Sequence, residues 1–152
     1  MPPAESADWR SDLGALYNAL AAELDALDVA CGGCGACCRF DEAGHVLYAS
    51  TLERRLVEEA VRRGELPAPS AAPGRCPFQV DGACCARAVR TLGCRLHFCR
   101  TRSGDPVPEA TRERLDALSA TFHRQLSDLH VRADVPWDYR PFLDALAEAL
   151  AK

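Results

Sequence analysis

No uninterrupted apolar run approaches 18 residues, so nothing in the chain reads as a membrane-spanning helix. Lysine is almost absent, with Lys152 alone against 17 arginines. The net charge of -4 excludes a bulk polycation built to coat nucleic acid. There is no Gly-x-Ser-x-Gly elbow, no P-loop, no Gly-x-Gly-x-x-Gly turn and no His-Glu-x-x-His pair. The usual signatures of hydrolases, nucleotide enzymes and zinc proteases are therefore missing. The stretch Met1-Pro2-Pro3-Ala4-Glu5-Ser6-Ala7-Asp8 lacks a basic region followed by an apolar one. It predicts neither a secretory nor a mitochondrial presequence, hence a cytoplasmic location. Pro2 stands where myristoylation requires glycine, and Leu150-Ala151-Lys152 carries no prenylation signal.

What the chain does have is nine cysteines in 152 residues. Nine is odd, so complete internal pairing is impossible. In a reducing cytosol, clustered cysteines are better read as metal or redox ligands than as cystines. The rest is globular in composition, 48% apolar and 26% charged, with a mean hydropathy of -0.16. The length suits one domain over residues 1–152.

The flanks of the cysteine region are helical by pattern. Leu13, Leu16, Leu20, Leu24 and Leu27, with Tyr17, recur at three- and four-residue spacing and predict an amphipathic helix over 8–28. Ser50-Thr51-Leu52-Glu53 is a capping box that opens a second helix. Gly64 stands at its left-handed stop, and Pro67 and Pro69 lie beyond. His45-Val46-Leu47-Tyr48 is short and β-prone. Residues 64–75, rich in Pro, Ala and Gly, read as a connecting loop. Over 108–152, Pro108 precedes a stripe of Leu115, Leu118, Phe122, Leu126 and Leu129; Pro136 ends it, and a last helix near Pro141 carries Phe142, Leu146 and Leu150. The expectation is a mainly α fold: a small helical domain around an irregular cysteine-rich metal-binding centre, with room for one short β-hairpin.

All nine cysteines fall within residues 31–99. Cys31, Cys34, Cys37 and Cys38 form one block, and Cys76, Cys84, Cys85, Cys94 and Cys99 the other. A Cys-x-x-Cys spacing turns the backbone so that two sulfurs converge on one cation, and Gly32, Gly33 and Gly35 accept the positive φ that this requires. Two such spacings in tandem bring three sulfurs together. That resembles the opening of a bacterial ferredoxin run without its fourth cysteine, so the spacing points to metal more firmly than to which metal. In the vicinal pairs Cys37-Cys38 and Cys84-Cys85, adjacent side chains diverge and rarely serve one mononuclear ion together. Between residues 75 and 102, six arginines face Asp81 alone, and Arg39 follows Cys38 directly. Such guanidiniums lower thiol pKa values and donate to sulfur. The competing reading, a nucleic-acid patch, is disfavoured because the segment lacks interleaved aromatics. Of the histidines, His97 is a spare ligand candidate, whereas His45, His123 and His130 are scattered.

These residues resemble the YkgJ-type cysteine cluster family, described as a zinc- or iron-chelating domain. Its Cys-x-x-Cys-x-x-Cys-Cys motif is met by Cys31, Cys34, Cys37 and Cys38, and its Cys-Pro-Phe motif by Cys76-Pro77-Phe78. Its last motif is met by Cys84, Arg90, Cys94-Arg95 and Cys99, which leaves Cys85 as the surplus ninth. Arg87, Thr91 and His97-Phe98 depart from the pattern. The resemblance covers residues 31–99 and implies eight ligands, Cys31, Cys34, Cys37, Cys38, Cys76, Cys84, Cys94 and Cys99. It implies zinc or an iron–sulfur cluster as cofactor, in a structural or metal-handling role. The alternatives are an iron–sulfur redox or electron-transfer protein and, less favoured, a zinc-dependent nucleic-acid-binding module. The partner expected is a metal ion, without a membrane; no catalytic motif is present.

Overall fold

The computed structural model describes residues 8–31, 39, 44, 46–67 and 75–152. Its element order is α1 (Trp9–Asp25), β1 (Tyr48–Ala49), α2 (Thr51–Arg62), β2 (Gln79–Val80), β3 (Ala83–Cys84), a 3-10 turn (Arg87–Val89), α3 (Leu92–Leu96), α4 (Glu109–Arg132), β4 (Arg140–Pro141) and α5 (Phe142–Leu150). The fold is mainly α, with two small antiparallel sheets. The chain divides into two compact units. One is built from residues 1–31 and 98–137, the other from residues 32–97 and 138–152.

In the first unit, α1 packs along α4. Asp8 caps α1 by accepting the Ser11 N–H. The leucine stripe fills the interior as its spacing predicts: Leu13, Leu16, Tyr17 and Leu20 from α1, and Leu115, Phe122, Leu126 and Leu129 from α4, are all buried. The first helix stops at Asp25, short of 28. The chain is claimed there by a different partner: Asp28 Oδ1 accepts the Arg102 N–H at 3.0 Å, and Ala30 pairs antiparallel with Arg100. Arg100 pairs in turn with Pro106 across a tight turn held by Thr101 and Asp105. The far end of α4 closes in a Schellman motif. The Asp134 N–H donates to the Val131 carbonyl, the Val135 N–H donates to the His130 carbonyl, and Asp134 takes φ +53°.

The second unit is assembled from short pieces. Ala49, Val57, Ala60, Leu66, Phe78, Ala86, Phe142 and Leu146 form its core. The capping box of α2 forms as read: Ser50 Oγ accepts the Glu53 N–H, and Glu53 Oε2 accepts the Ser50 N–H at 2.8 Å. Gly64, at φ +75°, completes the same Schellman exit. Of the β-prone stretch 45–48 only Tyr48 is in a strand, β1 at Tyr48–Ala49, paired with β4 in the register Tyr48↔Pro141. His45 lies outside the described residues.

Two residues hold these pieces to one another. Glu53 is almost wholly buried, and its second carboxylate oxygen accepts the Leu92 N–H at 2.5 Å. One side chain thus caps the first turns of both α2 and α3. Its neighbour Arg54, also buried, donates to the Ala49 carbonyl at 2.7 Å, to the Asp138 carbonyl at 2.9 Å and to the Asp138 carboxylate at 2.8 Å. A buried charge with that many partners is a fixed joint; removing any one leaves the rest costly.

Candidate metal centre

The hairpin that carries Cys84 turns at Asp81-Gly82, both with positive φ, +51° and +79°. That is a type I′ turn, and Asp-Gly is the strongest short-range signal for it. The hairpin register sets Cys84 opposite Gln79. At its base the Cys76 carbonyl accepts the Gln79 N–H at 3.2 Å, and the Phe78 carbonyl accepts the Cys85 N–H at 2.9 Å. Cys76 and Cys84 both pack, half-buried, against the core of this unit.

The vicinal pair diverges. Cys85 is exposed, and its Sγ donates to the Phe78 carbonyl at 3.0 Å. Burial of the sulfur pushes the Cys85 thiol up, and the adjacent Cys84 adds to the rise.

Cys94 sits in α3, a helix of five residues. Thr91, at the N-cap, makes no capping bond through its side chain; its buried hydroxyl has no hydrogen-bond partner among the described residues. The cap is supplied from Glu53 instead. Gly93 lets α3 lie against the strand segment, since a Cβ there would meet Leu47 Cδ1 at 2.7 Å. Arg95 donates to the Arg90 carbonyl at 2.8 Å and to the Ala88 carbonyl at 3.1 Å, bracing the loop between Cys85 and Cys94. His97 is exposed at the end of α3.

Two antiparallel bridges pair residues that flank the cysteine blocks. Arg39, which follows Cys38 in the chain, pairs with Arg75, which precedes Cys76. Ala30, which precedes Cys31, pairs with Arg100, which follows Cys99. Cys31 and Cys99 are both exposed and belong to the first unit. Cys34, Cys37 and Cys38 lie outside the described residues. The six described cysteines, Cys31, Cys76, Cys84, Cys85, Cys94 and Cys99, stand as thiols. Among the described residues, no three His, Cys, Asp or Glu side chains gather into a group that could hold a metal ion.

The remaining histidines have local duties. His123 Nδ1 lies 2.7 Å from the Ser119 carbonyl, and the buried His130 sets its Nδ1 3.2 Å from the Val135 carbonyl and its ring edge-on to Trp137. Sequence reasoning missed three features that position cysteines: Glu53 in its second role, Gly93, and the Asp81-Gly82 turn. Only the last had a readable signal. Among the described residues, no helix is long and apolar enough to cross a membrane. Comparisons with protein-family models, with curated proteins and with solved structures return no match.

Proposed function

We propose that this chain is a metal-binding cysteine cluster protein of the YkgJ type, chelating zinc or an iron–sulfur cluster through its two cysteine blocks. The observation that carries this reading is the Arg39↔Arg75 bridge, which ties the residue after the first block to the residue before the second across 36 positions of chain. The residues that would hold the metal are Cys31, Cys34, Cys37, Cys38, Cys76, Cys84, Cys94 and Cys99. The donor set fits soft, thiolate-seeking metals, and the described members stand as thiols. Bound metal would supply cross-links between irregular segments, and its binding free energy would count as folding free energy. A reducing, cytoplasmic setting suits such a site.

Elemental analysis with an absorption spectrum, on protein prepared without oxygen, tests the reading. Retained zinc without colour gives the structural form; a visible band bleached by dithionite gives the iron–sulfur form. Cys34→Ser and Cys94→Ser are each expected to lower metal content and the unfolding temperature together. Protein that carries neither metal, or variants unchanged in both quantities, overturns the proposal.

A further inference from the structure

The first and last cysteines of the chain lie in one unit, each next to a residue of the same antiparallel bridge. The Ala30 N–H donates to the Arg100 carbonyl at 3.1 Å, so Ala30 and Arg100 form the hydrogen-bonded pair of that register. Carried one residue further along each segment, this register would set Cys31 opposite Cys99. In the other direction the same register sets Asp28 opposite Arg102, and these two are joined by the 3.0 Å bond from the Arg102 N–H to Asp28 Oδ1. The pair next to a hydrogen-bonded pair is of the non-hydrogen-bonded kind, with Cα atoms about 4.5 Å apart and side chains on the same face. That separation lies within the span a disulfide bridges, about 4.4–6.8 Å. Both cysteines are exposed, so a small oxidant in solvent can reach them.

We propose that Cys31 and Cys99 form a peroxide-sensitive thiol pair that closes to a disulfide. One thiolate attacks the peroxide O–O bond; an S–O bond forms, the O–O bond breaks, and the leaving hydroxide takes a proton to become water. The second thiolate attacks the resulting sulfenic sulfur; the S–S bond forms, the S–O bond breaks, and a second water leaves. Two thiols lose two electrons in total, and one peroxide is reduced to two waters. Closure does not depend on the proposed function. Only its consequence does: in a metal-loaded chain, closure withdraws two of the sulfurs proposed as ligands.

The test treats the full-length reduced chain with stoichiometric hydrogen peroxide, blocks residual thiols with an alkylating agent and maps the peptides by mass spectrometry. The expected result is a Cys31–Cys99 cross-linked peptide as the main product. Two titratable thiols are lost and return on adding a thiol reductant. In Cys31→Ser the expected loss of paired thiols at Cys99 disappears, and Cys99 is recovered alkylated or further oxidised. The proposal is overturned if both cysteines stay alkylatable in the unsubstituted chain, or if either joins a different cysteine as the main product. It is overturned equally if Cys99 pairs elsewhere as readily in Cys31→Ser. Metal content read on the same samples before peroxide reports on the proposed function separately: metal-free protein that still closes this pair sinks that reading and leaves this one standing.

Discussion

The two units of the chain solve the stability problem differently. The first relies on length: α1 and α4 run 17 and 24 residues and bury a leucine stripe against each other. The second has two-residue strands and a five-residue helix, none of which could persist alone. There, side chains that would be costly if left unpartnered, Glu53 and Arg54, act as joints. The cysteines with the most local scaffolding (Cys76, Cys84 and Cys94) fall in the unit held by joints. Apolar burial is non-directional and tolerates small shifts, whereas a carboxylate bridging two amides sets position to within a hydrogen bond. If the cysteines act as proposed, the region that carries them has the second kind of order.

The sharpest way to break that comparison is a pair of truncations. Leu126 is fully buried in α4, and Leu126→Ala is expected to cost about 3–5 kcal/mol through lost burial and a cavity. Glu53→Ala leaves the Ser50 and Leu92 amides buried without their acceptor and is expected to cost about 2–4 kcal/mol. Chemical denaturation measures both. Under the proposed function a second readout separates them: Leu126→Ala would retain metal in proportion to folded protein, while Glu53→Ala would lose it even under conditions where it stays folded, because α3 and Cys94 lose their anchor. Equal metal loss in the two variants would show that the division of labour is wrong.

A smaller effect sharpens the same contrast through pH. Tyr139 stacks on Tyr48 at 5.6 Å between ring centroids, beside the Glu53 carboxylate. Burial, with the negative charge of Glu53 behind it, pushes the Tyr139 phenol up to about 12. The folded state therefore holds this proton more tightly than the unfolded chain, whose tyrosine titrates near 10. Between those values the unfolded state binds fewer protons, so stability falls as pH rises from about 10 to about 12. Denaturation midpoints measured from pH 9 upward should decline with pH, and Tyr139→Phe should flatten part of that decline. A profile identical in the two proteins would show that Tyr139 does not carry this pH dependence.

What could be read from sequence follows the range of the interactions. The helical stripes, the Ser50–Glu53 box and the Gly64 exit are decided within a few residues, and each appears where its pattern set it. The end of α1 at Asp25 was not legible, because Asp28 and Ala30 are taken by Arg102 and Arg100, 74 and 70 positions away. The second bond of Glu53 to Leu92, and the tether from Arg39 to Arg75, are long-range in the same way. Cysteine spacing named candidate ligands without showing how the chain carries them. The eight-cysteine set follows from the resemblance and stands as a proposal. The Asp81-Gly82 turn is the exception: its signal was local, and the short hairpin allowed for in the fold belongs there.

The smallest effect concerns two helix ends of the same design. Both α2 and α4 finish in a Schellman motif, but the left-handed residue is Gly64 in one and Asp134 in the other. A Cβ in that conformation crowds the carbonyl, a cost that glycine avoids and aspartate reduces only in part. Gly64→Ala is therefore expected to destabilise by about 1 kcal/mol. Asp134→Gly should do the reverse, by a smaller amount, about 0.5 kcal/mol, because glycine's extra freedom in the unfolded chain offsets part of the relief. A Cβ at Gly64 would meet nothing within 4 Å, so backbone conformation rather than crowding carries the first of these effects. Denaturation midpoints of the two variants should therefore move in opposite directions. Movement the same way would mean that the Asp134 side chain contributes something to the exit of α4 beyond tolerating its backbone angle.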